Sequence, residues 1–194
     1  MKKVGAFIAA LLCIAVVCGG FYLVKVRSDE NLLKDKTELT EVQRILMKDL
    51  ANDYPATPRE VVKLYNRIIT AYYKESYSDQ ELSKMADQVL ALFDAKLQET
   101  NPKDSYLRYL KADIANYESR SRYIADARVC DSDEVKFVQD GDDQLAYVTA
   151  SYFVREKNEY SKTYQQYVLR KNGDGEWRIL GFYQIEGASS KDDD

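Results

Sequence analysis

Phenols and carboxylates are the side chains of this sequence that could do chemistry. It holds 16 tyrosines and 32 acidic residues among 194, and no histidine. Lack of imidazole excludes Ser/His/Asp and Cys/His nucleophilic sites and zinc sites that use histidine. Of the three cysteines, Cys13 and Cys18 fall in an apolar N-terminal run and Cys130 stands alone. The rest of the chain can therefore form neither an internal disulfide nor a thiolate metal site. Two acidic clusters, "DSDE" at 131–134 and "DGDD" at 140–143, lack the spacing of a calcium loop with its closing glutamate, and are expected as solvated turns. No metal and no cofactor is expected. The tyrosines pose the sharper question. "TPREVVKLYNRIITAYYKESY", residues 57–77, carries four of them, which could fill a core, line a pocket or donate protons.

That stretch has the marks of a capped amphipathic helix. Thr57 stands as N-cap, Pro58 at the first helical position where a missing N–H costs nothing, and Glu60 where it can close a capping box. Val61, Leu64, Ile68 and Tyr72 form one face, widened by Tyr65 and Ile69, which predicts a buried helix. Upstream, Thr40 and Gln43 have capping spacing, and Leu39, Val42, Ile45, Leu46 and Leu50 recur at helical period. They predict a helix to about Asn52, broken by "DYPATP". Downstream, Ser78 and Glu81 repeat the cap, and Leu82, Met85, Val89, Leu92, Phe93 and Leu97 predict one helix running up to "NPKD". Leu107, Leu110, Ile114 and Tyr117 predict the next.

Near Arg122 the hydrophobic period changes from about 3.6 to about 2. "YIADARV", "EVKFV", "LAYVTASYFVRE", "KTYQQYVLRK" and "EWRILGFYQIE" read as strands, with "QDGDDQ" and "NGDG" as hairpin turns. Helices first and antiparallel strands afterwards is an α+β order. Alternation in the last strand puts Trp177, Ile179, Tyr183 and Ile185 on one face, and Leu180 and Phe182 on the other. A sheet apolar on both faces needs cover on both, so Leu180 and Phe182 are the candidate interface, for a homodimer or another partner.

The first residues carry a different signal. "VGAFIAALLCIAVVCGGFYLV", residues 4–24, runs 21 residues without a charge, and as a helix rising about 1.5 Å per residue it spans a bilayer core of about 30 Å. It exceeds the apolar run of about 7 to 15 residues in a cleaved signal peptide, so an uncleaved single-pass anchor is expected, with cleavage or lipidation as the alternatives. The basic stub of Lys2 and Lys3 favours a cytoplasmic N-terminus and an extracytoplasmic remainder at the cell membrane. The expected organisation is an anchor at 1–27, a charged spacer at 28–38, a linking amphipathic helix at 39–56, an α+β domain at 57–187 and an acidic tail at 188–194. After residue 27 the chain carries 24 basic and 32 acidic side chains, a balance of −8. Such a surface repels phosphate backbones, and nucleic acid is not an expected partner.

Two segments together resemble the nuclear transport factor 2-like superfamily, whose ketosteroid isomerase-like members share a cone-shaped fold. They are the helix "TPREVVKLYNRII" and the closing hairpin "YVLRKNGDGEWRILGF". The whole soluble region is also similar to an uncharacterised family of single-pass bacterial envelope proteins. The resemblance implies three to four helices packed on a curved antiparallel sheet, with Tyr65, Tyr72, Tyr147, Tyr152, Tyr167 and Tyr183 as candidates to line the cone. Some superfamily members pair a carboxylate base with a tyrosine or carboxylic-acid oxyanion donor, but no Asp here matches that base, and no catalytic residue is assigned. The expected function is a non-catalytic binding or assembly module of a bacterial envelope, working with itself or an envelope protein. The alternatives are a small-molecule carrier or ketosteroid isomerase-like enzyme, and an assembly subunit of a secretion or conjugation machine.

Overall fold

The computed structural model describes residues 39–186. The expected anchor, spacer and acidic tail lie outside the described residues, among which no helix is long and apolar enough to cross a membrane. From Glu41 onward the elements form one compact unit. Helices α1 (Glu41–Leu46), α2 (Pro58–Lys74), α3 (Asp79–Leu92), α4 (Ala95–Thr100) and α5 (Lys103–Ser119) precede strands β1 (Arg122–Val129), β2 (Lys136–Asp140), β3 (Asp143–Glu156), β4 (Glu159–Lys171) and β5 (Trp177–Ile185). The class is α+β, with helices packed on one antiparallel sheet.

The capping boxes predicted at Thr57 and at Ser78 form. Thr57 accepts from the Glu60 N–H while the Glu60 carboxylate takes the Thr57 N–H, and Ser78 and Glu81 do the same. Each exchange satisfies N–H groups that a helix start leaves unpaired. Two helices differ from their predicted lengths. The first ends at Leu46 rather than near Asn52. Gln88 Nε2 donates to the carbonyls of Ile45 and Lys48, and the Asp49 carboxylate accepts from the N–H groups of Ala51 and Asn52, so the chain leaves the helix with these backbone groups satisfied. The predicted helix over 79–97 breaks at Phe93 and Asp94. There Phe93 pairs with Ile179 as a parallel bridge, the Asp94 N–H donates to the Ile179 carbonyl at 2.8 Å, and the Asp94 side chain caps α4.

The sheet is built around β3. Its second half pairs with β1 and its first half with β2 along one edge, β4 runs along the other edge, and β5 lies beyond β4. Residue alternation sends Ala146, Val148, Ala150, Tyr152 and Val154 of β3 inward, where they are buried with Tyr167 and Leu169 of β4 and with Val61, Ile68 and Tyr72 of α2. Met85, Val89 and Leu92 of α3 complete the same core.

The pairing of β5 overturns the predicted alternation. Val168 faces Gly181 while Leu169 faces Ile179, so Leu180 is an extra residue in a β-bulge. The bulge consumes one step. Phe182, opposite Tyr167, falls on the inner face with Ile179, and Tyr183, opposite Gln166, falls on the outer one. Leu180 and Phe182 therefore do not share an outward face. Phe182 is at the rim of the core, its ring 5.9 Å from that of Tyr65 and 5.4 Å from that of Tyr167.

Candidate functional site

The structure gathers four of the six candidate tyrosines and separates two. Tyr65 and Tyr72 from α2, Tyr152 from β3 and Tyr167 from β4 are buried in one core. Tyr147 is half-buried on the outer face of β3, and Tyr183 is exposed on the outer face of β5. Alternation alone assigns Tyr147 to the face opposite Tyr152, since five positions separate them. Tyr183 was misplaced by the bulge.

Within the core the rings pack on each other. Tyr65 meets Tyr167 edge-on at 5.6 Å and Phe93 at 6.1 Å, and Phe93 meets Tyr106 at 6.2 Å. Such tilted and edge contacts are favourable arrangements of aromatic quadrupoles. The hydroxyls form a chain. Tyr152 donates to Asn66 Oδ1 and contacts the Tyr167 hydroxyl, which donates to Gln165 Oε1 at 2.9 Å. Two phenols hold two hydrogens for three contacts, so the third is served only when the amide at one end of the chain, Asn66 or Gln165, turns to offer an N–H. Either orientation leaves one amide atom of Asn66 without a protein partner, Nδ2 in the orientation of the structure.

Burial holds these phenols neutral. It pushes Tyr65, Tyr72, Tyr152 and Tyr167 well above the ordinary tyrosine range, and raises Tyr106 to about 12. They can donate hydrogen bonds but cannot act as bases near neutral pH. A carboxylate partner is missing from the cluster. Among the described residues the buried polar or charged groups are Asn66 and Asp94, and Asp94 is held at the α3–α4 junction by Arg170 Nη2 at 2.6 Å and Nε at 3.0 Å. Sequence reasoning missed Asn66, which directly follows Tyr65 in α2 and is buried beside the same core but reads as an ordinary polar position.

A second feature lies against the cluster. Helix α2 and strand β1 flank an open groove of about 610 Å³, to which Asn66 contributes. Its walls include Lys63, Arg67 and Lys74 of α2, the small side chains of Ala125 and Ala127 of β1, and the carboxylates of Glu41, Glu75 and Asp126. No group of three or more metal-ligating side chains occurs among the described residues. Cys130, half-buried beyond the end of β1, is a free thiol that burial pushes up.

Comparison with known proteins adds a family and distant structural likenesses. No curated protein matches the chain. The crystal structure of CagV, a VirB8 homolog of the T4SS from Helicobacter pylori strain 26695, is similar at 11% identity and a TM-score of 0.38, covering 65% of this chain and 97% of that one. Over residues 1–182 the sequence matches the profile of a domain of unknown function, and the chain belongs to that family, DUF6715.

Proposed function

We propose that this chain is a membrane-anchored, extracytoplasmic, non-catalytic binding or assembly module of a bacterial cell envelope, built on a nuclear transport factor 2-like cone. The observation that carries the non-catalytic reading is the filled interior. Tyr65 packs edge-on against Tyr167, and Tyr72 and Tyr152 are buried in the same core, where a carrier or isomerase would hold its ligand, and the phenol chain has no carboxylate base in it. Helix α2 lying against the inner face of an antiparallel sheet supports the cone. The uncharged segment at 4–24 supports the anchor.

Two measurements on the full-length chain test this reading. Protease added to intact protoplasts should digest the region after the anchor, and digestion only after lysis would reverse the orientation. In a deletion strain, Tyr152→Phe and Tyr167→Phe should restore the lost phenotype while lowering thermal stability. Variants that stay as stable as the parent yet fail to complement would instead make these phenols catalytic.

A further inference from the structure

We infer that the groove between α2 and β1 is an acceptor site for an extended acidic peptide, which adds to the sheet as a further strand alongside β1. Three observations converge there. Among the described strands β1 is an edge, pairing with β3 alone, and such an edge offers N–H and C=O groups to an incoming chain. The bulge at Ala125 interrupts the register between Ile124 and Asp126, so regular pairing runs from Asp126 to Val129. That is room for a short strand, not a long one.

The second observation is the charge of the helical wall. Lys63, Arg67 and Lys74 share one side of α2 through their helical spacing. Arg67 is paired with Glu41, and Arg128 on the β1 side with Asp126. Lys63 and Lys74 are exposed, and among the described residues neither they nor Glu75 beside Lys74 has an ion-pair partner. On a region whose overall balance is −8, two free ammonium groups over a backbone edge favour an acidic partner. A second copy of this chain fits worse. Pairing β1 with its own symmetry mate would set this cationic row against itself, and like charges so opposed are destabilising.

The third observation is Asn66. It is 3% exposed, contributes to the groove, and has one amide atom without a protein partner. A buried polar atom left alone is costly, and a peptide backbone supplies both an N–H and a C=O, so it can satisfy either orientation of the amide.

This site rests on the binding-module reading, and its test separates the two. Full-length chain in detergent is titrated, by fluorescence anisotropy, with a short acetylated peptide alternating valine and glutamate. Its lysine counterpart and a version N-methylated at alternate residues serve as controls. The glutamate peptide should bind at least about tenfold more tightly than the lysine peptide, a difference of about 1.4 kcal/mol. N-methylation should abolish binding, and Lys63→Glu combined with Lys74→Glu should reverse the charge preference. Both substituted positions are exposed, so the variant keeps its core. No binding, charge-blind binding, or binding indifferent to N-methylation overturns the site, as does self-association that excludes the peptide. Any of those results leaves the module reading standing, because that reading fails on protoplast digestion and complementation instead.

Discussion

A handful of side chains carry stability out of proportion to their number. Arg170 and Asp94 form a two-pronged pair with Asp94 almost wholly buried. Asp94→Ala is expected to cost about 1 to 3 kcal/mol in chemical denaturation, because it removes the cap of α4 and two acceptors of Arg170, which keeps Asp143 as its remaining partner. Trp177→Ala should cost about 3 to 5 kcal/mol, as truncation of a buried aromatic does. A loss under about 1 kcal/mol would show that the indole is not part of the core. Tyr167→Phe removes the hydroxyl between Tyr152 and Gln165, and should cost about 1 to 3 kcal/mol for the groups left unsatisfied. Phe182→Asp should lower the melting temperature by spoiling contacts with Tyr65 and Tyr167.

Elements were legible wherever one local rule decided them. The boxes at Thr57 and Ser78 were readable because a cap and its partner are three residues apart in the sequence itself. The ends of α1 and α3 were not, because distant groups set them: Gln88 donates to carbonyls at and just beyond the end of α1, and Ile179 pulls Phe93 and Asp94 out of helix. Among the candidate tyrosines, Tyr65 and Tyr72 followed from the apolar stripe of α2, whereas Tyr183 depended on a strand without a bulge. The bulge makes an unusual prediction about deletions. Removing Leu180 leaves Ile179 and Phe182 two positions apart and still on one face, so circular dichroism should show a folded chain with a modest loss in melting temperature. Removing Thr149 from the middle of β3 sends half of that strand's inward residues to the other face, and should abolish the cooperative transition.

At the scale of the whole molecule, the phenols set an alkaline limit. In an unfolded chain tyrosine ionises near pH 10, whereas burial holds Tyr54 and Tyr106 to about 12 and pushes Tyr65 and Tyr167 higher. Above about pH 10 the unfolded chain therefore binds fewer protons than the folded one, and stability falls as pH rises. Below that pH the same groups leave it level. Tyrosinate absorbance should show exposed phenols titrating in the ordinary range, then a cooperative step when the chain unfolds and the rest ionise together. The order of elements also has a consequence in time. The apolar face of α2 is covered by β1, β3 and β5, with Tyr167 of β4 against Tyr65, strands that leave the ribosome roughly 60 to 120 residues later, and at about 5 to 20 residues per second that is several seconds or more. Until Ile179 docks on Phe93 and the Tyr54 hydroxyl reaches the Trp177 carbonyl at 2.9 Å, the nascent chain exposes Val61, Ile68 and Tyr72 to whatever holds newly made polypeptides. A ribosome that stalls after Lys171 would release a product lacking the strand that closes this core, recognisable to quality-control proteases by that open helix.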